Sequence, residues 1–179
     1  KKTYGARTYP VEYTYDYAGR MKTMKTWQNF AGDSGAALTT WNYDPYRGWF
    51  ANKRYADNRG PDYTYTAAGR LHTRAWARGI TTTYAYDNGG LLLNTSYSDS
   101  TPGVTNSFDR RGRTVQLQHG PSTTTRLYDD ANDLVAESYT AGPLAGLFLT
   151  NRYDQFLRRT NLVLQQSSTP LLKQSLAYD

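Results

Sequence analysis

The sequence predicts an all-β chain: tandem antiparallel β-hairpins forming one continuous curved or spiralling sheet. Three observations carry that expectation. A nine-residue phrase, YTYDYAGRM from Tyr13, returns as YTYTAAGRL from Tyr63. An aromatic followed by an acid recurs at Tyr15-Asp16, Tyr43-Asp44, Tyr86-Asp87, Phe108-Asp109, Tyr128-Asp129, Tyr153-Asp154 and Tyr178-Asp179, with Tyr65-Thr66 as a variant. The composition, with 17 Tyr, 4 Trp and 5 Phe, suits a pleated surface on which aromatic and Thr side chains pack well. No long stretch carries apolar residues at helical spacing.

A copied phrase marks a structural unit, and the unit can be read from its residues. In VEYTYD, Val11, Tyr13 and Tyr15 alternate with polar residues, the period of a half-buried strand. Gly19 then stands three places after Asp16. That spacing predicts a hairpin loop of three residues, a type I turn closed by a glycine at positive φ. At the first turn position the Asp16 carboxylate can accept from backbone N–H groups two residues on. Arg20 falls opposite Asp16, a cross-strand charge pair of roughly 0.2–1 kcal/mol. Tyr15 meets Met21, and Tyr65 meets Leu71, on the other face.

The later units vary this grammar in order. Asp44 is followed by PYRG, which places Gly48 one position late and predicts a loop longer by a residue. Thr66 replaces the acid while Gly69 and Arg70 remain, so Arg70 loses its acidic partner. Asp87 keeps Gly90, and Asp109 with Gly112 and Arg113 restores the full set. Asp129 would face Asp133, with Asn132 in the left-handed turn position that Asn tolerates. Asp154 keeps Arg158, but Leu157 stands where the glycine belongs. Longer spacers, NFAGDSGAALTT around Gly32 and AGPLAG around Pro143, read as surface loops. Residues 1–179 are thus expected to be a single run of about seven hairpins. Each is marginal alone in water, so neighbours must pair edge to edge. The final AYD opens a unit that does not close within the sequence, and a longer array is expected.

These phrases resemble the YD-repeat, also called the Rhs repeat: an aromatic, any residue, Tyr-Asp, two residues, then Gly-Arg-Leu. YTYDYAGRM, YTYTAAGRL, YAYDNGGLL and FDRRGRTV carry the match, which extends loosely from Val11 to Asp179. The resemblance implies a strip of hairpins building a large hollow shell. In bacterial Rhs proteins and insecticidal toxin complexes such a shell encloses a C-terminal toxic domain, and in animal teneurins a similar barrel serves adhesion. It implies as partners the other repeats of a parent chain and an enclosed C-terminal domain, and a secreted or cell-surface location. It implies no cofactor and no enzymatic activity for this segment. The self-cleaving aspartate segment of many family members is not recognisable here. YDPYRGWF has its Asp-Pro pair alone, so no protease residues are carried over.

Other functions leave weaker marks. With no Cys there is neither a disulfide framework nor a thiolate metal site. No apolar run approaches the length of a membrane span. GDSGAA from Gly32 looks like a serine-protease nucleophile segment, yet both histidines, His72 and His119, follow Ser34, the reverse of that family's order. The sequence reads instead as a turn. YDDAND, with Asp129, Asp130 and Asp133, has carboxylates for Ca²⁺, but Ala131 falls where a ligand belongs. The net charge of +6 permits acidic partners. Nucleic acid is not expected, because the arginines are accounted for by turn position and no Lys/Arg run exists. Carbohydrate is the main alternative partner, with Trp27, Trp41 and Trp49 as exposed platforms. Trp76 is expected to pack between strands more than Trp49 does.

Overall fold

The computed structural model describes residues 2–5 and 8–179. Among the described residues the chain is all strand and turn, and strand order follows chain order from first to last. The chain divides into two compact units: residues 1–84 with 97–99, and residues 85–96 with 100–179.

The first unit holds β1 (Lys2–Gly5), β2 (Thr8–Tyr15), β3 (Met21–Thr26), β4 (Ala37–Tyr43), β5 (Phe50–Arg54), β6 (Asp62–Tyr65), β7 (Leu71–Ala75) and the start of β8 (Thr81–Tyr86). Every pairing is antiparallel, and alternation gives the strands two unlike faces. One face is aromatic. Register places Tyr13 opposite Met24, Trp41 opposite Lys53, Tyr63 opposite Arg74 and Tyr65 opposite Leu71. Its rings meet in sequence: Tyr43 and Phe50 lie 5.6 Å apart, and Phe50 and Tyr63 5.0 Å. The other face is hydroxyl and amide. Thr14 bonds Thr23, Thr64 bonds Thr73 at 2.6 Å, and Asn42 Nδ2 donates to Asn52 Oδ1 at 2.7 Å.

The second unit holds the end of β8, β9 (Leu92–Tyr97), β10 (Val104–Phe108), β11 (Thr114–His119), β12 (Ser122–Tyr128), β13 (Leu134–Thr140), β14 (Leu147–Tyr153), β15 (Arg159–Gln166) and β16 (Thr169–Ser175). Its face carrying Phe108, Tyr128 and Tyr153 pairs Arg126 with Glu137 and Asn151 with Leu162. The opposite face pairs Gln116 with Thr125 and Thr125 with Ser138.

Among the described residues, strands within each unit touch only their sequence neighbours, and no second layer packs on either face. Among the described residues the only apolar side chains that are buried are Trp27 and Ala136, and none is fully enclosed. The exposed area is 12281 Å², against roughly 8,800 Å² for a compact globular chain of this mass.

One spacer is shorter than its composition suggests. The expected loop NFAGDSGAALTT is strand from Ala37, because the Thr-rich end joins β3 in register: Thr26 with Ala37 through Thr23 with Thr40. The rest is a tight turn. Asn29 and Ser34 exchange backbone bonds of 3.1 and 3.0 Å, and Trp27 Nε1 donates to Asp33 Oδ1 at 2.6 Å.

Candidate functional site: turns stapled to their neighbours

The charged residues of the repeat meet in its turns. At Asp16 the loop closes through two backbone bonds, Gly19 N to Asp16 O at 3.0 Å and Asp16 N to Arg20 O at 2.9 Å. Asp16 Oδ1 accepts from the backbone N–H groups of Ala18 and Arg20, each at 2.9 Å. Oδ2 receives the Arg20 guanidinium through Nε and Nη2, both at 2.7 Å. Asp109 repeats this with Arg111 N at 2.9 Å, Arg113 N at 3.0 Å and the Arg113 guanidinium at 2.6 Å. Asp154 repeats it with Phe156 N at 2.8 Å, Arg158 N at 3.0 Å and Arg158 Nε at 2.8 Å.

These contacts hold the three carboxylates below the ordinary range. At Asp16 the Arg20 backbone N–H is the largest influence, followed by partial burial, which opposes it, and the guanidinium. At Asp109 and Asp154 partial burial pushes upward. The backbone N–H and guanidinium of Arg113 and Arg158 outweigh it.

The irregular units keep the loop by other means. The Asp44 loop is longer by a residue, closing through Asp44 N to Trp49 O at 2.7 Å, with Gly48 at φ 71°. Thr66 keeps part of the acid's role, accepting from Arg70 N at 3.1 Å. Asp87 accepts from Leu91 N at 2.8 Å, and Gly90 has φ 95°. Opposite Asp133, Asp129 accepts from the backbone N–H at 2.8 Å, and Asn132 adopts φ 80°. Leu157 takes φ 61° in place of the missing glycine. Two further turns, at Tyr55 and Trp76, have the same closure with an aromatic in the anchor's place, and at Tyr55 the acid stands inside the loop, Asp57 Oδ1 accepting from Arg59 N at 3.0 Å. Tyr55 N donates to Arg59 O and Trp76 N to Ile80 O, both at 2.8 Å, with Asn58 and Gly79 at positive φ. The cue for them was present: an aromatic followed three places later by Asn or Gly.

Sequence reasoning missed the lateral role of Tyr and Arg. At five anchors the tyrosine that precedes the anchor donates its hydroxyl to a backbone carbonyl of the preceding hairpin. Tyr43 reaches Met21 O at 3.0 Å and Tyr65 reaches Phe50 O at 2.9 Å. Tyr128 reaches Thr114 O at 3.2 Å, Tyr153 reaches Leu134 O at 3.1 Å, and Tyr178 reaches Arg159 O at 2.8 Å. The acceptor is the first residue of the outgoing strand each time. Phe108 has no hydroxyl, and there Asn106 Nδ2 donates to the corresponding carbonyl, Leu92 O, at 3.0 Å. The turn arginine lies over the ring of the same incoming tyrosine: Arg20 over Tyr43 at 4.3 Å, Arg113 over Tyr128 at 4.6 Å and Arg158 over Tyr178 at 4.7 Å. Arg20 Nη1 also donates to Gly48 O at 2.8 Å, and Arg113 Nη1 to Asn132 Oδ1 at 3.0 Å. Each hydroxyl staple contributes about 0.5–1.5 kcal/mol, and each stacked guanidinium about 0.5–1 kcal/mol.

No protein-family model and no curated protein matches the sequence. Solved structures do. TcdB2-TccC3 without its hypervariable C-terminal region superposes with a TM-score of 0.74 at 13% identity over 96% of this chain. TcdB2-TccC3-Cdc42 gives 0.72 at 14% identity over 95%. A Photorhabdus luminescens Tc holotoxin pore with mutant TccC3 gives 0.71 at 13% identity over 93%. The fold is that of these toxin-complex chains. This chain spans only about a tenth of their length, covering 10%, 10% and 9% respectively. The likeness to the YD-repeat therefore stands at the level of the toxin-complex fold.

Of the tryptophans expected as exposed sugar platforms, Trp27 is corrected to a buried residue, and Trp41 and Trp49 are half-buried. Trp27 is buried, 8% exposed, with Phe30 edge-on at 5.0 Å and Lys25 over its ring at 4.8 Å. Trp41 is half-buried with Lys53 over its ring at 4.9 Å. Trp49 is half-buried, tilted against Tyr65 at 5.0 Å with Arg47 over it at 4.6 Å. A sugar stacks on an open ring face, and each of these rings already has a cation over it. The expected order of exposure is also reversed: Trp76 is 36% exposed, because it sits in a turn. His72 and His119 are exposed on their strands, and no group of three His, Cys, Asp or Glu among the described residues could hold a metal ion.

Proposed function

We propose that this chain is a wall segment of a secreted, toxin-complex-type protein, building part of a β-shell that encloses a C-terminal domain, with a structural rather than a catalytic role. The observation that carries the reading is the staple. At five places a hairpin sends a tyrosine to a carbonyl of the one before, and at a sixth Asn106 does so, so the unit is made to be laid down in series. The large exposed area supports the same reading, since a sheet open on both faces suits a wall better than a free-standing domain. Limited proteolysis of the parent protein, with and without these repeats, tests it. Protection of the C-terminal region is expected only when the repeats are present, and equal cleavage in the two forms overturns enclosure.

A further inference from the structure

The aromatic face of the first unit carries cations without acids. Trp41, Lys53, Tyr63 and Arg74 follow one another across β4 to β7 on that face. Lys53 Nζ lies between the rings of Trp41 and Tyr55, at 4.9 and 4.7 Å. The Arg74 guanidinium lies 3.3 Å from the Trp76 ring centroid and 5.7 Å from that of Tyr63, and its buried Nε has no hydrogen-bond partner. Among the described residues neither cation has a carboxylate partner.

The acids on and between β1 to β7 of this unit are committed elsewhere, and its remaining acid, Asp99, lies in the bend after β9. Asp16, Asp44 and Asp57 accept from backbone amides in their turns, and Asp33 holds Trp27. Asp62 pairs with Arg54 on the hydroxyl face, and Glu12 stands opposite Lys25 on that same face. The second unit provides an internal comparison. Arg74 lies eight residues after its anchor, Thr66, and Tyr63 three before. The same two places around Asp129 hold Glu137 and Arg126, which pair at 3.0 Å. Where the second unit neutralises its cation within the face, the first unit leaves two unneutralised.

We propose that the aromatic face around Lys53 and Arg74 is a docking surface for an acidic polypeptide segment. A half-buried cation held over rings has shed part of its water and gains most from an anion brought to it. The geometry favours a polypeptide over a saccharide or nucleic acid. Sugars and bases need bare ring faces, and here Lys53 and Arg74 cover the rings of Trp41 and Trp76. Carboxylates on flexible stems need only reach the cations. The two cations also lie two strands apart on an open face, which suits a chain bearing several acids. An acidic guest would bind there whether or not the sheet belongs to a closed wall.

A fluorescent poly-L-glutamate peptide titrated into the 179-residue chain tests this by anisotropy. Saturable binding is expected, weakened by added salt. The Lys53→Gln/Arg74→Gln variant is expected to bind at least about tenfold more weakly, and Lys173→Gln, on β16 in the other unit, within about twofold of the parent. Carbodiimide coupling of the peptide to the unaltered chain, mapped by mass spectrometry, is expected to join it at Lys53. That measurement decides alone if the double variant does not fold. Absence of binding, undiminished binding by a folded double variant, or coupling at Lys173 in place of Lys53 overturns the proposal. So does saturable binding of a sulfated oligosaccharide with none of polyglutamate.

Discussion

Gly19 and Gly69 hold the same place in their turns, with φ 76° and 80°, but not the same surroundings. A side chain on Gly19 would meet nothing within 4 Å, whereas on Gly69 its Cβ would lie 2.9 Å from Trp49 Cζ2. Positive φ costs a non-glycine residue of order 1–3 kcal/mol. Both alanine variants should therefore lose stability in urea titrations, with Gly69→Ala losing more because Trp49 must also shift. Equal losses would mean that the Trp49 contact contributes nothing. The need for glycine was legible in the spacing, since it follows from the local turn. The ring behind Gly69 was not, because Trp49 belongs to the preceding hairpin.

At the scale of the hairpin, the staple explains why the residue before the anchor is Tyr so consistently. Phe108 is the exception, and Asn106 takes over its hydrogen bond. Removing that donor with Asn106→Leu leaves the Leu92 carbonyl short of a partner and should cost about 1–3 kcal/mol. Adding Phe108→Tyr to that variant should recover most of the loss, while Phe108→Tyr alone should gain less, because the carbonyl then already has one side-chain donor. The Leu134 carbonyl has room for both, accepting from Asn151 Nδ2 at 2.9 Å and the Tyr153 hydroxyl at 3.1 Å. Denaturation of the four forms measures the coupling, and additive effects would sink the idea that the two side chains serve one carbonyl. The turns at Tyr55 and Trp76 went unread for a related reason. The loop geometry needs only a residue able to take positive φ, which Asn58 and Gly79 supply. The acid at the anchor is an added brace, and a reading keyed to it passes over the turns that have an aromatic in that place.

Across the molecule, stability is spread over turns and staples in place of a core, so it should depend on acid in a particular way. Asp16, Asp109 and Asp154 all titrate below the ordinary 3.8 of a free carboxylate. A group with a lowered folded-state pKa contributes stability that is complete above the unfolded value and is lost as pH falls through the folded one. The melting temperature should thus be level from about pH 5 to 7 and fall below about pH 4. Replacing the three by Asn should lower the melting temperature at neutral pH and flatten that acid limb. An acid limb of unchanged steepness in the triple variant would place the titrating groups elsewhere.

From the sequence alone came the alternating strands, the turns at the acid anchors and at Thr66, and the faces, because alternation along a strand and the demand for positive φ act over a few residues. The tertiary structure alone decided which carbonyl each tyrosine reaches, that the tryptophan rings are covered, and that Lys53 and Arg74 lack acids. Those facts depend on the register between strands whose residues lie far apart in the chain. Local spacing fixes the shape of each hairpin, but only the pairing of hairpins sets which side chains become neighbours.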